Sequence, residues 1–99
     1  MSKKPSVSWY VYLLRCSDGT LYTGITKDLT RRCEQHNRGT ASKYTRSRRP
    51  VKLVYHEPQR TQSLALKREL AIKAMTRKQK LELIRVMKLK NRSHVGLTP

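Results

Sequence analysis

A chain of 99 residues has room for one domain and one small core. Apolar residues make up 36% of it, with one Trp, five Tyr and no Phe, and no apolar run approaches the roughly 20 residues of a membrane-spanning helix. Lys and Arg number 23 against six Asp and Glu, a net charge of +17, and a chain that repels itself this strongly points to a polyanionic partner.

Nucleic acid fits that partner better than an anionic membrane. A membrane binder concentrates its cations on one amphipathic helix or in a polybasic tail, whereas here they run from Lys27 to Arg92. Cys16 and Cys33 are too few for a disulfide scaffold or a four-thiolate zinc site. The polar segment from Met1 to Ser8 has no signal-peptide core. Reduced thiols and a cytoplasmic location are therefore expected. The six carboxylates, Asp18, Asp28, Glu34, Glu57, Glu69 and Glu82, are scattered. A two-metal phosphoryl-transfer site gathers several acids, so any metal chemistry here is expected to use one ion on one carboxylate.

In chain order, Trp9 to Cys16 is aromatic and aliphatic and reads as a strand. Ser17-Asp18-Gly19 reads as a turn and Leu21 to Ile25 as a second strand. A three-residue hairpin loop closes with its last residue in the left-handed region, a place for Gly19. That register pairs Cys16 with Thr20, Tyr12 with Gly24 and Leu14 with Tyr22. Tyr10, Tyr12 and Tyr22 then share one face, and the bare Gly24 is expected to leave space for a phosphate and its water. Asp28 as N-cap and Gly39 as stop delimit a helix over Leu29 to Asn37. Leu29 and Cys33 would face the sheet, with Arg32 and His36 on the neighbouring stripe.

Residues from Arg38 to Pro50 read as an acid-free loop carrying Arg38, Lys43, Arg46, Arg48 and Arg49. With Lys27 and Arg31, these are the expected nucleic-acid contacts. Val51 to His56 is a third strand, expected to end before Pro58. A helix over Leu64 to Met75, capped by Thr61 or Ser63, is expected to bury Leu66, Leu70 and Ala74, helped by Ala65 and Ile72. Another, capped by Thr76, runs from Arg77 to Leu89 with Leu81 and Ile84 inward. The expected organisation is a flexible segment over residues 1–7, a domain over 8–89 and a basic tail over 90–99. The fold class is α/β (α+β), a three-stranded, mainly antiparallel sheet flanked by helices in the order β-β-α-β-α-α.

Several motifs fall in one order along this frame. Tyr10-Val11-Tyr12 is followed by Tyr22-Thr23-Gly24, Asp28-Leu29-Thr30-Arg31-Arg32, then His36-Asn37. Lys43-Tyr44-Thr45, Arg49-Pro50-Val51 and Ala65-Leu66-Lys67-Arg68-Glu69 complete the series. Over about residues 8 to 85 the chain resembles the GIY-YIG nuclease domain, most closely its small, stand-alone, YhbQ-like branch. The resemblance implies a metal-dependent endonuclease acting on nucleic acid, DNA ahead of RNA, with a role in repair or recombination. It implies one Mg²⁺ or Mn²⁺ ion held by Glu69. Tyr12 would activate the nucleophile, Tyr22 line the site, Arg32 hold the scissile phosphate and His36 assist nearby. Two positions depart from the pattern: Tyr10 replaces the first glycine of the family name, and Ile25 replaces a lysine found in excision-repair relatives. Extra DNA-binding modules of larger members have no counterpart here, so specificity is expected from the domain itself or a protein partner.

The residue types suit that chemistry. Arg presents a planar, permanent charge to phosphate, and Glu offers the oxygen that Mg²⁺ takes while keeping most of its waters. Tyr is the odd choice of base, because a free phenol ionises only near pH 10 and needs neighbouring cations. Each residue also has a structural alternative: sheet aromatics for Tyr12 and Tyr22, a solvated cation for Arg32, a helix-end cation for His36, and an ion pair with Lys73 for Glu69. Cys33 reads as a core thiol. A non-catalytic DNA- or RNA-binding protein on the same scaffold is the second reading, and a ribosome-associated basic protein a third.

Overall fold

In a computed structural model of the chain, residues 9–97 are described, 91–97 by backbone alone. The expected flexible segment over 1–7 and the last two residues lie outside them. Three strands, β1 (Trp9–Arg15), β2 (Leu21–Thr26) and β3 (Lys52–Gln59), form one sheet in the order β2-β1-β3, antiparallel throughout. Four helices follow the chain: α1 (Leu29–Arg38), α2 (Lys43–Arg46), α3 (Gln62–Lys73) and α4 (Arg77–Leu97). The expected architecture holds, with α2 as an added turn of helix inside the segment read as a loop. Ser42 starts it: its hydroxyl accepts from the backbone N–H of Tyr44 (3.0 Å) and Thr45 (3.5 Å), an N-cap too short-ranged to show as periodicity.

The β1–β2 hairpin has the register its turn dictates. Gly19 takes φ 86°, the left-handed conformation that closes the loop. The Cys16 N–H donates to the Thr20 carbonyl at 2.9 Å, and the Asp18 carboxylate ties the turn by accepting from the Thr20 hydroxyl at 2.7 Å. Tyr12 pairs with Gly24 and Leu14 with Tyr22. β3 runs past its expected end and includes Pro58, opposite Tyr10. An edge strand is paired on one side only, which is where a residue lacking an N–H is tolerated.

The two sheet faces carry separate cores. Val11 and Leu13 meet Ala65 and Ile72 of α3 and Ile84 of α4. On the other face Tyr12 and Leu14 pack with Cys16 and Val51, flanked by Tyr22, Leu53 and Leu29 and Cys33 of α1.

α3 corrects an expectation. Leu66 and Leu70 are 43% and 67% exposed rather than buried, and Ala74 is exposed as well. Apolar residues lie nearly all round this helix, so hydrophobicity alone does not choose its inner face. The small Ala65 and the branched Ile72 go inward, and Glu69, four and three residues from them, goes with them and keeps a side-chain exposure of 14%.

α4 opens with a reciprocal cap. The Thr76 hydroxyl accepts from the Gln79 N–H (3.1 Å), while the Gln79 amide oxygen accepts from the Thr76 N–H (2.9 Å). The helix continues to Leu97, beyond the expected end at Leu89. Between Arg77 and Val95 there is no Gly or Pro to stop it, so most of the expected tail over 90–99 is helical backbone.

Candidate active site

α1 sets the site. The Asp28 carboxylate caps it by accepting from the Arg31 N–H at 3.0 Å. Gly39 ends it at φ 85°, its N–H reaching the carbonyls of Gln35 and His36. With Leu29 and Cys33 held against the sheet, the adjacent stripe carries Arg32, half-buried, and His36, fully buried.

The Tyr12 ring, 2% exposed, lies over Gly24. A Cβ at position 24 would sit 2.5 Å from the Tyr12 hydroxyl and 2.7 Å from its Cζ. The room beside Gly24, expected to take a phosphate, is filled by the tyrosine itself.

Tyr12 Oη is 2.9 Å from His36 Nε2, and His36 Nδ1 is 2.8 Å from Thr45 Oγ1 on α2. The Tyr22 ring meets His36 edge-on, with centroids 5.1 Å apart, and stacks on Tyr44 at 5.8 Å. Arg48 closes this column with its Cζ 3.9 Å from the Tyr44 centroid.

Burial pushes the Tyr12 phenol well above its usual pKa. Tyr22, Cys33 and Glu69 add to the rise, and Arg32 opposes it. Burial, then the Arg32 charge, lowers the pKa of His36. At neutral pH the pair is therefore a phenol beside an uncharged imidazole. Arg32 and Glu69 are both close enough to act on the charge of Tyr12, although α3 covers the opposite sheet face.

Arg32 Nε is buried with no hydrogen-bond partner among the described residues. Glu69 pairs with Lys73, as the structural alternative expected, at a loose 3.4 Å. Among the described residues no three His, Cys, Asp or Glu side chains gather around a common point. A hard divalent cation at Glu69 would have one protein carboxylate oxygen and take its other ligands from water and substrate, which suits Mg²⁺.

The expected nucleic-acid contacts divide into three sets. Lys27 and Arg31 share a polar groove with Arg32, Gln35 and Trp9, and Lys27 Nζ stands 5.4 Å from the Trp9 ring centroid. Arg38, Lys43 and Arg46 are exposed along α1 and α2. Arg48 and Arg49 also make bonds within the fold. Arg48 donates to the Asp18 carboxylate (3.1 Å) and the Tyr44 carbonyl (2.8 Å), and Arg49 to the carbonyls of Arg46 (2.8 Å) and Asn37 (3.4 Å).

The structure thus joins Tyr12, Tyr22, Arg32 and His36, with Glu69 in electrostatic reach. Sequence reasoning noted Lys43-Tyr44-Thr45 among the motifs but gave Thr45 and Tyr44 no role in the site. Ser42 as a cap for a short helix was the available signal; nothing in the pattern places Thr45 against His36.

A family model described as the GIY-YIG catalytic domain matches residues 8–82. The chain belongs to the GIY-YIG family. UPF0213 proteins of two Staphylococcus aureus strains, Mu3 and Mu50, are each 58% identical to it over 78 residues, 79% of this chain and 95% of the relative. Two solution NMR structures share the GIY-YIG fold seen here. A UPF0213 protein of Bacillus halodurans is 38% identical with a TM-score of 0.52, covering 79% of this chain and 83% of that one. A protein of E. faecalis is 42% identical with a TM-score of 0.57, covering 90% and 93%. The family is nuclease-like, and no helix among the described residues is long and apolar enough to cross a membrane.

Proposed function

We propose that this GIY-YIG domain is a divalent-metal-dependent endonuclease that hydrolyses phosphodiester bonds of nucleic acid, DNA ahead of RNA, in repair or recombination in the cytoplasm. The observation that carries this reading is the buried Tyr12–His36 pair at 2.9 Å beside a guanidinium nitrogen of Arg32 left without a partner. An unpaired buried donor is costly in a purely structural site and is what a phosphate oxygen would satisfy.

In this reading Arg32 binds the scissile phosphate and neutralises charge as it builds at phosphorus. A water attacks phosphorus as the bond to one ester oxygen breaks, and the leaving oxygen takes a proton from solvent. The water's proton passes to the Tyr12 oxygen while the Tyr12 proton passes to His36 Nε2. His36, kept neutral by burial, has its Nε2 lone pair free to take that proton, and the phosphate bound at Arg32 offsets the positive charge the ring then gains. Tyr22 and Tyr44 wall the pair. Glu69 holds one Mg²⁺ or Mn²⁺, and the ion, when bound, supplies charge neutralisation at the phosphate and the leaving oxygen. Lys27, Arg31, Arg38, Lys43 and Arg46 hold flanking phosphates, and a protein partner or the domain itself selects the substrate.

The test is a cleavage panel of single-stranded, duplex, flap, splayed and junction DNA, with RNA counterparts, in Mg²⁺ or Mn²⁺ against a no-metal control. Wild type should cut at least one substrate only with metal. Glu69→Gln should abolish that cut while melting near wild type, because the replacement is nearly isosteric. If wild type binds every substrate and cuts none, the non-catalytic binding reading, which the +17 charge supports equally, replaces this one.

A further inference from the structure

We infer that Thr45 is a positioning residue that fixes the tautomer of His36, with the proton on Nδ1 and the lone pair of Nε2 aimed at the Tyr12 hydroxyl. The inference rests on the reading of Tyr12 and His36 given above.

A neutral imidazole carries one N–H, so its two contacts cannot both be donations. Tyr12 Oη stands 2.9 Å from Nε2 and Thr45 Oγ1 stands 2.8 Å from Nδ1. The Thr45 hydroxyl also reaches back to the Ser42 carbonyl at 3.4 Å, the ordinary local bond of a helical threonine. One assignment uses all three contacts. Thr45 donates to Ser42, Nδ1–H donates to Thr45, and the Tyr12 hydroxyl donates to Nε2.

The reverse assignment makes Thr45 donate to Nδ1 and Nε2–H donate to Tyr12. It strands the Tyr12 hydroxyl proton, because among the described residues that oxygen has no other hydrogen-bond partner and the residue is 2% exposed. Burial decides between the two, since an unmet donor costs most away from water. The groups around His36 do not favour a doubly protonated ring. The Tyr12 and Tyr22 rings face it edge-on, no carboxylate among the described residues contacts it, and Arg32 repels a second proton.

The consequence for the proposed reaction is directional. With Nε2 bare, Tyr12 can release its proton to His36 as it takes one from water. With Nε2 protonated, the bond to Tyr12 runs the other way and that path is closed. Thr45 does not touch substrate; it acts through His36.

Two measurements on the intact chain test this. The first is long-range ¹H–¹⁵N NMR of the His36 ring in the free protein, in wild type, Thr45→Val and Thr45→Ser. Wild type and Thr45→Ser should show the Nδ1–H tautomer, and Thr45→Val should show Nε2–H or a mixture. The second is steady-state cleavage with the best substrate of the panel. Thr45→Val should lower kcat about 10-fold, the order expected for losing one buried hydrogen bond, with KM unchanged and with rescue by Thr45→Ser. Nε2–H in wild type, or a tautomer indifferent to Thr45→Val, overturns the inference whatever the activity. A tautomer that follows Thr45 in a chain that cuts nothing supports the tautomer lock and removes the nuclease reading instead.

Discussion

Tyr12 and His36 are each shifted away from the charged form, the phenol upward and the imidazole downward, and burial is the first cause of both. The same shift that keeps His36 uncharged makes stability depend on pH. Its folded pKa lies below the unfolded value of about 6.5, so the unfolded chain binds the proton more readily. Stability from this group is full above the unfolded value and falls as pH drops through 6.5 toward the lower folded pKa. We expect the melting temperature to decline over that window, and His36→Asn to flatten the decline; an unchanged slope in the variant would assign the loss to other groups. Tyr12→Phe keeps the ring on Gly24 and removes the hydroxyl. Nucleic-acid affinity should stay within a few-fold while cleavage falls at least about 10²-fold, the low end for losing a positioned base. Tyr55→Phe is the matched control. Its hydroxyl donates to Glu57, which also accepts from Gln59 and Arg68, and its pKa is pushed up to about 12. That variant should melt lower and still cut.

Among the elements, legibility followed how locally each is specified. The hairpin was readable because a three-residue turn with glycine third leaves one register, and α1 because Asp28 and Gly39 mark both ends. α3 was read in part: Ala65 and Ile72 do go inward, but Leu66, Leu70 and Ala74 form a stripe as plausible as the one used, and the choice lies in what the sheet can accept beside Ala65. α2 was missed because four residues carry no period. Of the site, Tyr12, Tyr22, Arg32, His36 and Glu69 were legible only through family resemblance; Thr45 stood in a quoted motif, but its role was not legible, since it is a contact between distant elements. The α2 segment also divides its arginines. Arg46→Ala should weaken nucleic-acid binding at an unchanged melting temperature. Arg48→Ala should lower the melting temperature, because it removes the Tyr44 stack and the link to the Asp18 turn. Equal effects of the two on binding, with no loss of stability in either, would make them interchangeable phosphate contacts.

For the molecule as a whole, the charge is distributed rather than tipped to one end. Lys27 and Arg31 lie in a groove beside Arg32, while Arg38, Lys43 and Arg46 extend from the end of α1 along α2. A backbone laid over the site can meet both groups. If roughly 6 phosphates are neutralised, log affinity on duplex DNA should fall against log salt with a slope near −5. Titrations from low to physiological salt measure it; a flat response would mean that the cations keep the protein in solution rather than hold a strand.

The seating of Tyr12 on Gly24 makes two positions inherit as one. A methyl at 24 would stand 2.5 Å from the Tyr12 hydroxyl and 2.7 Å from its Cζ, so it cannot be added while the ring keeps its place at 12. Drift at the glycine is therefore tied to its neighbour across the hairpin. A side chain in place of Gly24 is compatible with this seating only if the Tyr12 ring moves, and with it the 2.9 Å contact to His36.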